Sequence, residues 1–230
     1  MLYLVATPIG NLGDITLRAL EVLKNADVIA CEDTRHSAHL LQRYEISKPL
    51  VSYHEHNEAM RTAELLLRLE RGENVAVITD AGLPGISDPG ARLLRACIEN
   101  GIAHTVIPGP SAVLTALVGS GFPSEQFFFG GFLPVKSGGR EREIAAAAER
   151  GETSVFFESP HRILKTLAVC VQHLPQRELC VARELTKQFE EFRRGIAEAL
   201  LAHFTATAPR GEFVLLVSGL TKRERREKLG

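Results

Sequence analysis

Val75-Ala76-Val77-Ile78-Thr79, running into Asp80-Ala81-Gly82-Leu83-Pro84-Gly85-Ile86-Ser87-Asp88-Pro89-Gly90, decides how the first half of the chain is read. A strand whose successive residues are all apolar has no polar face, so helices must cover both sides of it, as in a parallel sheet. The segment that follows is long for a connector, since most connections between elements run about 4–6 residues. Its glycines let the backbone approach a ligand closely, and its prolines stiffen it. Asp80, Ser87 and Asp88 supply oxygen acceptors for ammonium or hydroxyl groups. These residues favour a binding loop over a plain turn.

Outward from that stretch, apolar and β-branched runs recur at 2–6, 28–31, 50–53 and 105–107. Helix-spaced apolar residues lie between them, for instance Ile15, Leu17, Ala19, Leu20, Val22 and Leu23. Strands alternating with amphipathic helices imply βαβ units. The pattern changes at Gly119-Ser120-Gly121-Phe122-Pro123, which places a domain boundary between 121 and 122. Beyond it the reading is a strand at 127–129, a Gly/Lys loop at 134–139 and a helix at 141–150. A strand at 153–157 and a helix at 162–173 come next. Strands at 179–183 and 188–193, a helix at 196–204 and a strand at 213–218 complete the chain. The segments 179–183 and 188–193 lie too close for a helical crossover and should pair antiparallel. The expected fold class is α/β: an N-terminal domain (1–121) with a mainly parallel sheet and a C-terminal domain (122–230) with a mixed sheet. The charge run at 222–228 reads as a solvated or frayed end.

With 45% hydrophobic and 24% charged residues among 230, the chain is globular rather than disordered. No apolar run approaches the ~18 residues of a membrane span, and the first residues lack the basic region of a secretory signal. A net charge of −1 excludes a free-standing polycation, so RNA binding would need a local basic patch. The four cysteines form no C-x-x-C pair, which argues against zinc ribbons and for free thiols in a reducing cytoplasm.

Ligands of open α/β sheets sit beyond the carboxyl ends of the strands. Besides Asp80–Gly90, written 80–90 below, four polar segments fall there. They are Thr7-Pro8-Ile9-Gly10-Asn11-Leu12-Gly13-Asp14, Glu32-Asp33-Thr34-Arg35, His54-Glu55-His56-Asn57-Glu58 and Pro108-Gly109-Pro110-Ser111-Ala112. The first is either a ligand loop or a turn in which Asp14 caps the next helix. It lacks the Gly-Lys-Ser/Thr of a phosphate loop. Glu32 stands about 20 residues past those glycines, where a dinucleotide fold places its ribose-binding acid, or it caps a helix. A nicotinamide dehydrogenase therefore stays in view. His54 and His56 have no further ligands at metal spacing, so no metal is expected. Glu158 and His161 are an acid–base pair or a helix cap. Lys136, Arg140 and Arg142 form either a phosphate-clamping RNA contact or an ordinary basic loop.

The segments Leu2 to Asp14, Cys31-Glu32-Asp33-Thr34-Arg35, Thr79 to Gly90, Pro108 to Ala112, Phe156-Phe157-Glu158-Ser159-Pro160-His161-Arg162 and Ala182-Arg183-Glu184-Leu185-Thr186-Lys187 together resemble the ribosomal RNA small subunit methyltransferase I family. The resemblance covers nearly the whole chain and places it in the tetrapyrrole methylase superfamily, with S-adenosylmethionine held between two α/β domains. It implies 2′-O-methylation of a cytidine ribose in the decoding region of 16S rRNA by a cytoplasmic homodimer acting on the assembled small subunit. By position it implies cofactor contacts from Pro8, Gly10, Asp80, Ala81, Gly82, Ser87, Ser111 and Ala112, and from Phe157, Leu185, Pro209 and Gly211. The family's usual helical C-terminal extension has no counterpart after Gly230, which implies weaker RNA affinity or a truncated chain. Because a ribose hydroxyl ionises far above neutrality, Asp33 or Glu32 is assigned as proton acceptor. Arg35 or Lys187 is assigned to position the adjoining phosphate. The rivals are a methylase of a tetrapyrrole or another small acceptor, and a non-catalytic ribosome-binding module.

Overall fold

A computed structural model describes residues 1–221; the charge run at 222–228 lies outside the described residues. The first unit carries β1 (Leu2–Val5), β2 (Val28–Cys31), β3 (Leu50–Ser52), β4 (Val75–Ile78) and β5 (His104–Ile107). Its helices are α1 (Leu17–Asn25), α2 (Thr34–Arg43), α3 (Glu58–Glu70) and α4 (Ala91–Glu99). The strands lie in the order β3-β2-β4-β1-β5, and every neighbouring pair is parallel. The all-apolar β4 now has its explanation. Val75 and Val77 join a core with Leu65 and Leu69 of α3 and Leu93 and Cys97 of α4. Ala76 and Ile78 join another with Ala19 and Leu23 of α1 and Leu41 of α2. Alternate side chains point to opposite faces, and each face meets its own pair of helices.

The second unit contains α5 (Ala112–Ser120), β6 (Phe127–Phe132), α6 (Ser137–Glu149), β7 (Thr153–Glu158), α7 (Ile163–His173), β8 (Leu179–Arg183), β9 (Glu191–Gly195), α8 (Ala197–Ala206) and β10 (Phe213–Val217). Its sheet order is β6-β7-β10-β8-β9. β6 and β7 are parallel and the other pairs antiparallel, including β8 with β9. Phe156, Phe213, Leu215 and Val181 pack with Ile163 and Leu167 of α7 and Leu200 and Phe204 of α8.

Four local readings need correction. The chain divides into compact units at 111/112 rather than 121/122, because α5 packs on β8, β9 and β10. The segment read as a Gly/Lys loop already turns into α6 at Ser137. Arg140, Ile144 and Ala147 line its buried face at helical spacing, and that packing overrides the poor helix propensity of Gly138 and Gly139. β9 begins at Glu191 rather than 188, since the backbone is occupied by turns, Lys187 N–H donating to Glu184 O and Glu190 N–H to Lys187 O. Finally, Asp14 caps nothing. α1 starts at Leu17 behind Thr16, whose hydroxyl accepts from Ala19 N–H at 3.1 Å, and Asn11 caps a short 3₁₀ turn ahead of it. All four cysteines are buried and free. No helix among the described residues is long and apolar enough to cross a membrane.

Candidate active site

A wholly parallel sheet sends every strand-to-helix loop off the same edge, so the polar segments after β1 to β5 share one rim. The first and fourth loops are sewn together there. Thr7 N–H donates to Gly82 O at 2.8 Å and Gly82 N–H returns to Thr7 O at 3.1 Å. The Thr7 hydroxyl donates to Thr79 O at 3.0 Å. These bonds bring the Pro8–Gly10 turn, residues 8–10, beside Asp80, Ala81 and Gly82. Gly82 has φ 83°, and a Cβ placed on it would come 3.6 Å from Ile9. Further along the same loop Ser87 adopts φ 63°. A left-handed conformation in a non-glycine residue costs free energy that the surroundings must offset, and such residues gather at ligand sites. At its far end, Gly90 N–H reaches the Glu58 carboxylate at 3.4 Å, which also takes the Tyr53 hydroxyl at 3.1 Å. After β5, a Cβ on Gly109 would meet Ala6 Cβ at 2.9 Å, so only glycine lets this loop pass the end of β1 so closely; Ser111 is the last residue of this unit and Ala112 the first of α5.

Carboxylates converge on the rim from the ends of β2 and β4. Asp80 Oδ1 accepts from Asp33 N–H at 3.3 Å. Burial, and then the charge of Asp80, push the Glu32 carboxyl above its ordinary range. Asp88 is pushed up to about 7, first by burial and then by the charges of Glu32 and Asp80. Asp33 is different. It caps α2, accepting from Arg35 N–H at 2.8 Å, and this bond together with the Arg35 guanidinium holds it below the usual range. Arg35 itself is exposed. The Thr79 hydroxyl, at the head of the loop, is buried and has no hydrogen-bond partner. The His54 and His56 rings lie edge to face at 5.9 Å. Among the described residues no three His, Cys, Asp or Glu side chains gather as a metal site would require.

In the second unit the backbone is strained in one loop, with Glu184 at φ 50° and Thr186 at φ 66°. Leu185, between them, is buried. Lys187 Nζ donates to Glu184 Oε1 at 3.0 Å and to Glu212 Oε2 at 2.8 Å, so its charge is shared between two carboxylates. Gly211 has φ 85°, and a Cβ there would collide with the Glu184 carboxylate. Phe157, on β7, meets Phe129 edge to face at 5.0 Å and Phe132 at a tilt at 5.3 Å between ring centroids. Pro209 is half-buried just before β10.

Of the two readings of Glu158, the structure has the structural one. Its carboxylate is buried and holds the start of α7, accepting from Ser159 N–H at 2.9 Å, Arg162 Nε at 2.7 Å and the Thr166 hydroxyl at 2.5 Å. His161 is exposed. Arg140 is corrected too. It is 6% exposed on the inner face of α6 and unavailable as an open phosphate clamp, whereas Lys136 and Arg142 are exposed. Sequence reasoning missed Tyr53 and Glu212 as supports, and the tie from Glu58 to Gly90. The partners of Glu212 and Gly90 are 25 and 32 residues away, and Tyr53 meets Glu58 and Thr62 only once α3 folds back over it.

The description Tetrapyrrole (Corrin/Porphyrin) Methylases matches residues 1–201. A ribosomal RNA small subunit methyltransferase I of Synechocystis is 49% identical over 98% of this chain and 81% of its own length. The protein of that name in Bacillus subtilis is 45% identical over 97% of this chain and 77% of its own. The one in Thermotoga maritima is 44% identical over 95% and 98%. Among solved structures, uroporphyrin-III-C-methyltransferase from Thermus thermophilus superposes with TM-score 0.66 at 24% identity, covering 94% of this chain and 93% of that one. A cobalt precorrin-4 methyltransferase gives TM-score 0.67 at 17% identity, covering 94% of each. These two share the fold.

Proposed function

The chain belongs to the tetrapyrrole methylase family, and from that premise we propose that it methylates the 2′-hydroxyl of a cytidine ribose in 16S rRNA of the small ribosomal subunit, with S-adenosylmethionine as donor. The reading is carried by the close identity to small-subunit rRNA methyltransferases along nearly the entire chain. The rim fits the donor. Carboxyls at Glu32 and Asp88 that burial makes reluctant to ionise are what a cationic ligand would favour in charged form. The unpartnered Thr79 hydroxyl and the open backbone at Gly82 add hydrogen-bonding capacity beside them. When bound, the donor supplies an activated methyl group on a sulfonium.

The protein's own task is then alignment and proton handling. We assign Pro8, Gly10, Asp80, Ala81, Gly82, Ser87, Ser111 and Ala112 to holding the donor from the first unit. Phe157, Leu185, Pro209 and Gly211 are the contacts assigned to the second. Glu32 accepts the ribose proton. Its raised pKa brings it closer to neutrality, the range in which a general base works best. Asp33, committed to the α2 cap, is the weaker candidate. Arg35, exposed and paired only with the neighbouring Asp33 carboxylate among the described residues, meets a phosphate from the surface, while Lys187 acts from within its carboxylate pair. The working assembly in this reading is a cytoplasmic homodimer without a metal.

The test is transfer of radiolabelled methyl to small subunits purified from cells lacking the modification. A 2′-O-methyl group protects the neighbouring phosphodiester from alkali, so label should appear in an alkali-resistant dinucleotide beginning with cytidine. Label in an alkali-labile nucleotide, turnover of a tetrapyrrole without RNA, or donor binding without any transfer would each refute the assignment.

A further inference from the structure

The end of β6 and the first turn of α6 enclose an open groove of about 470 Å³ lined by Pro134, Val135, Lys136, Gly138, Gly139 and Arg142. Its composition is two-sided. Pro134 and Val135 are apolar, and Val135 is 76% exposed. Lys136 and Arg142 are exposed cations without an ion-pair partner among the described residues. The groove owes its shape to two glycines. A Cβ at Gly139 would meet Pro134 Cβ at 2.8 Å, so only glycine lets the helix close this tightly on the strand end. A Cβ at Gly138 would meet only the Arg142 guanidinium, at 3.9 Å, so the floor there is bare backbone. The charges are held in place from below, because Arg140, Ile144 and Ala147 anchor α6 by its buried face. Glu141 is the acidic group exposed within this turn.

We propose that this groove is an RNA subsite, taking one unstacked nucleotide of the substrate strand with its base against Pro134 and Val135 and its flanking phosphates on Lys136 and Arg142. Unpaired RNA offers the flat faces of splayed bases, stacked by proteins on aromatic or guanidinium planes, and a backbone held by cations; here the guanidinium of Arg142, the Pro134 ring and Lys136 lie within one turn of helix. An exposed patch that is apolar alone would suit a protein partner, and cations alone would be an ordinary solvated surface. Their combination over bare backbone selects a polyanion with flat apolar faces. The proposal rests on the rRNA reading above and adds where the strand is held.

The test compares the full chain with Lys136→Glu/Arg142→Glu and with Gly138→Phe, which fills the groove without removing charge. Binding to small ribosomal subunits is measured across a salt series, and S-adenosylmethionine affinity is measured separately. The double variant should bind subunits at least about tenfold more weakly and lower the salt slope by about 1.4, as two lost single-strand phosphate contacts require. Gly138→Phe should raise the KM for subunits with the slope unchanged, and donor affinity should stay within about twofold throughout. Unaltered subunit affinity and slope in both variants would overturn the proposal. So would loss of donor affinity in step with subunit binding, which would make these residues part of the fold. Failure of the unsubstituted protein to bind subunits while it still binds donor would instead remove the rRNA reading on which the groove depends.

Discussion

Asp88 and Glu32 show how much of this site is set by burial of single charges. Asp88 is pushed up to about 7, well above the ordinary carboxylate range. An acid whose folded-state pKa is raised holds its proton more tightly in the native state than in the unfolded chain. Its contribution to stability is therefore complete below the unfolded value and lost as pH climbs through about 7. Between about pH 5 and pH 8 the apparent Tm of the unsubstituted protein should fall more steeply than that of Asp88→Asn; equal slopes would show that Asp88 is not held protonated. Glu32 is raised by the same causes, so the acidic limb of the methylation rate should lie above the ordinary carboxylate range. Glu32→Gln should lower kcat by about 10²–10⁴ and abolish that limb. Retention of the limb in Glu32→Gln would move the base elsewhere. Neither residue's state was legible in sequence. Both were visible as polar groups at strand ends, but the repulsion among Glu32, Asp80 and Asp88 needs two loops brought together across the sheet.

Caps and turns decide what the neighbouring residues can do. Asp33 sits next to Glu32, yet its carboxylate is spent on the first turn of α2. Asp33→Ala should lower the denaturant midpoint through loss of the α2 cap while leaving most of the methylation rate, the opposite of Glu32→Gln. The 184–187 loop is held in its strained path by Glu184 against Gly211 and by the carboxylates around Lys187. Gly211→Ala should destabilise by about 1–2 kcal/mol from the positive φ alone, and more because it displaces Glu184. Its turnover should fall further than that of Asp33→Ala at matched stability. The sequence pointed to the Glu-Leu-Thr-Lys segment and to Gly211 separately. That they form one device depends on β8 and β10 lying side by side, with Arg183 opposite Phe213. The start of α6 is the reverse case, in which local glycine content argued for a loop and the buried face of the helix prevailed.

At the scale of the molecule, each hydrophobic cluster among the described residues is built within one unit. Two are drawn from Leu2 to Ile107 and the third from Leu133 to Val217. Leu65→Ala and Leu167→Ala, both at fully buried positions, should each cost about 2–5 kcal/mol. Native-state hydrogen exchange should quicken only in the unit that carries the substitution; acceleration of both units together would show that they open as one. The amino-acid sequence by itself determined the element succession, the parallel first sheet and the mixed second one. Those follow from apolar periodicity and from the spacing between strands, which are local and written along the chain. It also marked the loops at the strand ends, because glycine and proline signal special backbone wherever they stand. Only the tertiary structure decided where α5 belongs, that Arg140 is inside and Arg142 outside, and that Asp33 caps while Glu32 is desolvated. Burial, close approach and the sum of neighbouring charges depend on residues far apart in sequence, and no reading along a single chain contains those distances.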